Sequence, residues 1–397
     1  MARNLVICLD GTNNKFGQTN TNVVRLYQAL GKDPASQAVF YDPGVGTLGE
    51  PGMFTKLGRK VTMLMGLAFG LGVTANVSEA YAFLMDEYAE GDRIYIFGFS
   101  RGAMEARALA GLLHKCGLLN KGHDPLVRYA VEMHHNVVDK VSPPQFKATF
   151  SRAVPIHFLG LWDTVTSVGN VWSPITWPFS TFNPSVVHVR HAIAMDERRA
   201  FFRQNRWSKS PDQDVDERWF AGVHSDVGGG YPVEDSILWQ VAFKWMAEEA
   251  ETCRLILDSR EMARILSLRS KEDPSAPAEL SAKHDSMKFA WMLTEVVPKP
   301  RMVKDKITGE FKKTWIWPIW HWIWTLPKGG KVGRARTLQK GDRINRSVLE
   351  RYAADACYRP ESLTSIGITD AHARAFLAEV DGQGLPKEYY EVKEVAS

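Results

Sequence analysis

The strongest constraint on this chain is an apolar strand that turns at a serine between two glycines and continues directly into a helix. Residues 94–97 are β-favouring, residues 98–102 read Gly-Phe-Ser-Arg-Gly, and residues 103–110 are mostly strong helix formers. A serine at such a turn stands on strained backbone, and the glycines let the strand and the helix approach closely. The segment predicts that Ser100 stands at the carboxyl end of a buried strand, where a nucleophile is accessible.

Apolar runs alternate with helical patterns along the first 250 residues. Buried strands separated by helices of this kind favour an α/β fold with a mostly parallel sheet and helices on both faces. The predicted strands are residues 4–9, 38–41, 93–97, 156–161, 188–194 and 218–223, and the predicted helices are residues 21–30, 77–88, 102–115, 236–249 and 346–356.

The pattern changes after about residue 270, where charged residues mix with Pro and Ala in a predicted exposed loop at 271–284. A run of tryptophans and then of basic residues follows. We predict a catalytic core at 1–270, a variable Trp-rich insertion or cap at 271–340, and a C-terminal helical segment packed on the core at 341–397. The residues of the run are Trp315, Trp317, Trp320, Trp322 and Trp324, followed by Lys328, Lys331, Arg334 and Arg336.

Composition excludes several classes of protein. With 45% hydrophobic and 24% charged residues, the chain is globular, and a net charge of +4 is too small to indicate a nucleic-acid partner. The four cysteines match no metal or redox spacing, so we expect free thiols in a reducing compartment. No signal peptide is evident, and the longest apolar run, at 61–73, is too short to span a bilayer. We expect a soluble protein made in the cytoplasm.

A serine hydroxyl is a weak nucleophile unless a histidine takes its proton and a carboxylate orients that histidine. Asp163 follows the predicted strand at 156–161, and His224 follows the one at 218–223 and begins a Gly-rich loop. This is the chain order serine, acid, histidine. Because parallel strands place their carboxyl ends at one edge of a sheet, Ser100, Asp163 and His224 are expected to converge.

Other residues compete for these roles. Asp226 lies two residues after His224, and Asp196 follows another predicted strand, so each is an alternative partner for the histidine. The remaining histidines are expected in the core or on the surface, because they lie on helices, beside helices, in or at the start of strands, or in the late region. They are His114, His123, His134, His135, His157, His188, His191, His284, His321 and His372.

The oxyanion of acyl transfer needs two backbone N–H donors. We expect the first from Arg101, directly after the serine, and the second from Gly11 and Thr12 in the loop after the first strand. An Asx-type turn without a catalytic part explains the same loop equally well. The loop also follows a strand as in haloacid-dehalogenase-like phosphatases, but Cys8 stands at the position of their nucleophilic aspartate, which disfavours that class.

Five motifs stand in a fixed order along the chain: Leu9-Asp10-Gly11-Thr12-Asn13, Tyr41-Asp42-Pro43-Gly44-Val45-Gly46-Thr47, Gly98-Phe99-Ser100-Arg101-Gly102, Trp162-Asp163-Thr164-Val165 and His224-Ser225-Asp226-Val227-Gly228-Gly229-Gly230-Tyr231. Together they resemble one family, the α/β-hydrolases that include the phospholipase effectors of bacterial type VI secretion. The resemblance covers about residues 4–250 and returns weakly at 346–363. It implies an α/β-hydrolase-like fold and carries Ser100, Asp163 and His224 over as the triad, with Asp163 favoured over Asp226. Asn345 stands where family members tend to have a histidine.

The residues and the resemblance together imply a serine esterase or lipase that hydrolyses a lipid ester, above all a phospholipid, without metal or organic cofactor. The resemblance alone implies an antibacterial effector exported by type VI secretion, with an immunity protein and a secretion-apparatus component as partners. The alternative is a catalytically silent module of the same fold that binds a membrane or a protein. Beside a lipase site, the Trp-rich segment has the chemistry of an interfacial anchor or lid, although a packed core element explains it equally well.

Overall fold

A computed structural model describes most of the chain. Thr12, Trp317, Trp320, Trp322 and Trp324 lie outside the described residues, so the predictions made for them are not addressed by the fold, and Trp315 lies on a described strand. The described residues are 2–11, 17, 19–44, 69–135, 141–165, 169–170, 173–174, 177–199, 202–208, 210–287, 299–304, 311–316, 334–383 and 388–393.

The strands of the described residues build one large central sheet and three small two-stranded sheets. They are β1 (Asn4–Leu9), β2 (Gln37–Asp42), β3 (Arg93–Phe99), β4 (Leu118–Leu119), β5 (Ser151–Arg152), β6 (Ile156–Trp162), β7 (Gly169–Asn170), β8 (Ser173–Pro174), β9 (Val186–Ala194), β10 (Asp214–Phe220), β11 (Lys299–Lys304), β12 (Phe311–Ile316), β13 (Arg343–Asn345) and β14 (Tyr389–Glu391). The central sheet has eight strands in the order β14-β13-β10-β9-β6-β3-β1-β2. Every neighbouring pair in it is parallel except β13 and β14.

Helices cover both faces of this sheet, which confirms the predicted α/β-hydrolase-like class. Thr21 caps the first helix, because its side chain accepts a hydrogen bond from the N–H of Val24. The helices are α1 (Asn22–Ala29), α2 (Phe69–Glu87), α3 (Arg101–Cys116), α4 (Asp124–His135), α5 (Ser142–Phe150), α6 (His224–Gly228), α7 (Trp239–Thr252), α8 (Ser259–Leu266), α9 (Arg346–Ala354), α10 (Glu361–Thr364) and α11 (Asp370–Gln383), with a 3₁₀ turn at Ala278–Leu280.

Alternate residues of the buried strands enter two different cores. On β1, Leu5, Ile7 and Leu9 pack with α2 and α3, whereas Val6 and Cys8 pack with α1 and α7. All six residues of β1 are buried. Since successive side chains point to opposite faces, a strand covered on both sides has to be apolar throughout. This is why continuous apolar runs, rather than alternating ones, predicted the strands of the sheet.

The structure corrects the last predicted strand and the segment after it. β10 begins at Asp214 rather than at 218, because its charged residues are paired: Asp214 with Arg190 at 2.7 Å and Asp216 with Arg218 at 2.8 Å. Paired charged residues of this kind leave no apolar run in the sequence. His224 was predicted to begin a Gly-rich loop and instead begins the short helix α6.

The last part of the chain contributes strands as well as helices. β13 pairs in parallel with β10, and β14 pairs antiparallel with β13. Helices α9 to α11 cover a third core that includes Trp219, Ile344 and Leu349. Among the described helices, none combines the length and the apolar character that a membrane crossing requires.

The close approach of α3 to the end of β1 generates a prediction about Gly102. A Cβ at this position would lie 2.2 Å from the carbonyl oxygen of Leu9 and 2.6 Å from that of Asp10. Because backbone carbonyls in a sheet cannot move aside, Gly102→Ala is expected to lower the free energy of unfolding by about 2 kcal/mol or more, measured by urea denaturation.

Gly382→Ala is the matched control for this substitution. Gly382 is also helical, and a Cβ there meets no atom within 4 Å. Its replacement is expected to raise the free energy of unfolding by up to about 1 kcal/mol. Equal stability of the two variants would contradict the packing described here.

Candidate active site

Ser100 occupies the sharp turn between β3 and α3, as the sequence predicts. Its backbone has φ 61° and ψ −117°, a conformation that non-glycine residues rarely adopt. The N–H of Ser100 donates to the carbonyl of Trp162 at 3.1 Å, and a Cβ at Gly98 would lie 2.4 Å from the carbonyl oxygen of Gly102. The strained turn is therefore held by β6 on one side and by tight glycine packing on the other.

The structure brings Ser100, His224 and Asp163 into one chain of hydrogen bonds. Nε2 of His224 lies 2.8 Å from Oγ of Ser100, and Nδ1 lies 2.6 Å from Oδ2 of Asp163. The three residues follow β3, β10 and β6 respectively, at the carboxyl edge of the sheet. All three are buried, and Ser100 is the most exposed of them at 9%.

Arg336 also belongs to this site, which the sequence did not reveal. Its Nη1 lies 2.5 Å from Oδ1 of Asp163 and its Nη2 lies 3.1 Å from Oδ2. The sequence had placed Arg336 in a basic run beside the tryptophans, but the residue is buried. Burial alone would raise the pKa of Asp163. The charge of Arg336 and the hydrogen bond from His224 outweigh burial and hold that pKa well below its usual value.

The imidazole of His224 packs against two aromatic rings. The ring of Phe99 is 4.6 Å from it and that of Phe202 is 4.7 Å, measured between centroids. Burial lowers the pKa of His224, and the hydrogen bond and charge of Asp163 oppose that shift only in part. A neutral imidazole that donates from Nδ1 to Asp163 presents the lone pair of Nε2 to Ser100. This is the arrangement of a general base.

A second buried carboxylate holds the backbone of His224. Oε2 of Glu197 accepts from the N–H of His224 at 3.2 Å and from Nη2 of Arg199 at 2.8 Å. The hydroxyl of Ser286 donates to Oε1 at 3.0 Å. Glu197 directly follows Asp196 after β9. Its position just past the end of a strand is the sequence signal that could have identified Glu197 as a site residue.

The loop after β1 lies against the start of α3, because the carbonyls of Leu9 and Asp10 approach Gly102. Arg101, whose N–H directly follows the serine, is the first residue of α3. The N–H of Gly11 donates to Oδ1 of Asp10 at 2.6 Å, and Oδ2 of Asp10 accepts from the hydroxyl of Thr21 at 2.8 Å. The bond from Gly11 to Asp10 joins adjacent residues, whereas an Asx turn at Asp10 would use the N–H of Thr12, which lies outside the described residues. Both interpretations of the loop therefore stay predictions.

The rival residues have other partners. The carboxylate of Asp226 accepts from Nδ1 of His284 at 2.6 Å and from the N–H of Val223 at 3.0 Å. Asp196 accepts from the N–H of Gly222 at 2.7 Å and from the hydroxyl of Tyr358 at 3.0 Å. In the structure it is therefore Asp163, and not either rival, that hydrogen-bonds the His224 ring.

His191 holds the backbone beside Asp163 in place. It is buried, its Nδ1 lies 2.8 Å from Oε1 of Glu217, and its Nε2 accepts from the N–H of Thr164 at 3.2 Å. It therefore fixes the backbone next to Asp163 without reaching Ser100. Within the described part of the chain, no group of three or more His, Cys, Asp or Glu residues is arranged to hold a metal ion.

Comparison with known proteins adds relatives of two kinds. The chain is 37% identical over 228 residues to the uncharacterised protein YEL023C of Saccharomyces cerevisiae, a match that covers 53% of this chain and 33% of that protein. The chain thus spans about a third of that relative's length. Among solved structures, it is similar to an uncharacterised protein from Pseudomonas aeruginosa, with a TM-score of 0.45, 20% identity and coverage of 68% of this chain and 49% of that one. A Tle1 effector bound to the VgrG spike of the type 6 secretion system matches with a TM-score of 0.37 and 22% identity, over 59% of this chain and 53% of the other.

The family comparison covers the whole region in which the site residues Ser100, Asp163 and His224 lie. The family model described as "T6SS, Phospholipase effector Tle1-like, catalytic domain" matches residues 3–249. That match takes in more than half of the 397 residues. The chain belongs to the family of Tle1-like catalytic domains of type VI secretion phospholipase effectors.

Proposed function

We propose that the protein is a serine hydrolase that cleaves an acyl ester of a phospholipid. The observation that carries the proposal is the continuous hydrogen-bonded chain from Ser100 through His224 to Asp163 on a strained strand–helix turn. Membership in a family of phospholipase effectors supports the substrate class. The geometry supports the reaction class, because each residue has the partner that its role requires.

The reaction proceeds through an acyl-enzyme. Nε2 of His224 takes the hydroxyl proton of Ser100 as Oγ attacks the acyl carbonyl, and Asp163 stabilises the imidazolium that forms. His224 then gives its proton to the oxygen of the departing lysophospholipid, which leaves an acyl-serine. In the second half, His224 takes a proton from water, hydroxide attacks the acyl-serine, and the fatty acid and the free hydroxyl of Ser100 are released.

The oxyanion is stabilised by backbone N–H groups at the start of α3 and in the loop after β1. The N–H of Arg101 lies at the positive end of the helix, directly after the nucleophile. The second donor is a backbone N–H of the Gly11–Thr12 segment. For Gly11 to serve, its N–H has to exchange the Asp10 carboxylate for the oxyanion when substrate binds.

The biological setting follows from the family. Membership in the family supports export by type VI secretion with a secretion-apparatus component as carrier. An immunity protein as antagonist is part of the same proposal. The substrate is presented at a lipid surface, where Trp315, Trp317, Trp320, Trp322 and Trp324 contact the membrane interface.

Phospholipid hydrolysis by purified protein tests the proposal. Wild-type protein is expected to release lysophospholipid and fatty acid from vesicles, detected by mass spectrometry. Ser100→Ala is expected to lose activity by at least 10³-fold, on the order seen for triad serines, with its melting temperature nearly unchanged. Ser365→Ala, at an exposed serine, is the matched control and keeps full activity. Wild-type rates in Ser100→Ala would exclude this mechanism, and an inactive wild type would favour the silent binding module.

The identity of the orienting carboxylate is tested by a pair of isosteric substitutions. Asp163→Asn is expected to reduce kcat by about 10³–10⁴-fold, because an amide favours the wrong imidazole tautomer. Asp226→Asn is expected to reduce kcat less than tenfold, since Asp226 bonds His284. Steady-state kinetics on a soluble ester distinguishes the two, and equal losses would argue against the assigned role of Asp163.

The membrane role of the Trp-rich segment is tested by liposome flotation. Replacing Trp320, Trp322 and Trp324 by Ala is expected to abolish flotation with anionic vesicles, because tryptophan anchors at the interface. Turnover of a soluble ester is expected to be unchanged, which shows that the core is intact. Unchanged flotation of the triple variant would refute the anchor.

A further inference from the structure

We propose that Arg336, which lies beyond the residues 3–249 matched by the family, is the positioning residue that fixes the Asp163 carboxylate for its work on His224. The inference rests on the function proposed above and deepens it. It assigns a role to a residue whose partner is 173 positions away in the sequence. The active site is then completed by a segment outside the matched region.

The contacts of Arg336 hold its guanidinium in a single orientation. Two parallel N–H donors meet the two oxygens of Asp163, at 2.5 and 3.1 Å. The same nitrogens also donate to the carbonyls of Ala194 at 2.7 Å and of Phe202 at 2.5 Å. The side chain is only 5% exposed. A planar fork held at four acceptors sets the plane of the carboxylate, which a point charge on a flexible chain would not do.

The carboxylate is in turn fully occupied. Oδ1 of Asp163 accepts from Arg336 and from the N–H of Ala194 at 3.0 Å, so rotation of the group is blocked. Oδ2 is thereby directed at Nδ1 of His224 at 2.6 Å. With a side chain only 1% exposed, Asp163 without a cation would be an uncompensated buried charge. Arg336 supplies both the orientation and the compensating charge.

Several other charges face the His224–Asp163 pair. Glu197 and Arg199 lie beside His224 in the loop after β9. The charge of Arg199 lowers the pKa of His224, and the charge of Glu197 raises it. His191, paired with Glu217, lies behind Asp163. Among these groups, Arg336 is the cation in direct contact with Asp163. Removing it makes protonation of the His224–Asp163 pair easier, so the pKa at which the pair gains its proton rises.

The test compares Arg336→Met with Arg334→Met, a substitution at an exposed arginine two positions earlier. On a short soluble ester, Arg336→Met is expected to lower kcat at least tenfold with KM changed less than twofold. The acid limb of kcat/KM is expected to move up by about one pH unit, on the scale of a lost neighbouring charge. Arg334→Met is expected to match the wild type. An unshifted acid limb in Arg336→Met would overturn the inference.

Arg336→Lys separates charge from geometry and remains informative if Arg336→Met fails to fold. The ammonium keeps the charge but lacks the planar fork, so the acid limb is expected to stay near that of the wild type while kcat falls. Wild-type kcat in Arg336→Lys would show that the fork has no positioning role.

An NMR titration of His224 in a Ser100→Ala background supplies a readout that does not depend on turnover. Adding Arg336→Met is expected to raise the pKa of His224 by about one unit, and adding Arg334→Met is expected to leave it unchanged. If wild-type protein hydrolyses no ester but the His224 shift is found, the proposed function fails and the positioning role stands. If ester hydrolysis is found without any His224 shift, the positioning role fails and the function stands.

Discussion

The contact between the start of α3 and the end of β1 is the constraint on which the site depends. Gly102 lies so close to the carbonyls of Leu9 and Asp10 that no side chain fits there. This approach forces the chain to leave β3 through the strained turn at Ser100, and it sets the loop after β1 beside the first N–H groups of α3. Packing of backbone on backbone therefore places Ser100 at the turn and sets the carbonyls of Leu9 and Asp10 against the start of α3.

The second constraint is electrostatic. A triad needs an ionised carboxylate in a site dry enough for strong hydrogen bonds, and burial by itself raises the pKa of such a group. Here Arg336 offsets that cost for Asp163, and Arg199 does the same for Glu197, which holds the backbone of His224. The site thus contains two carboxylate–arginine pairs, and His224 hydrogen-bonds both carboxylates, through its ring to Asp163 and through its backbone to Glu197.

Much of this arrangement could be predicted from the sequence. Strands buried on both faces leave continuous apolar runs, and the glycines around Ser100 mark the turn, so the parallel sheet and the spatial convergence of Ser100, Asp163 and His224 could be inferred. Arg336 could not, because nothing local distinguishes a buried arginine from the basic residues beside it, and its partner is 173 residues away. The three-residue strands β13 and β14 could not be predicted either, because they form by pairing with strands that are distant in the sequence.

The claim at the centre of this account is that Ser100 is a nucleophile activated by His224. The most direct measurement is labelling with a fluorophosphonate, followed by peptide mass spectrometry to locate the adduct. The account predicts one adduct on Ser100 of the native protein, and no labelling in Ser100→Ala or His224→Ala. An unlabelled wild type, or an adduct that persists in Ser100→Ala, would contradict it.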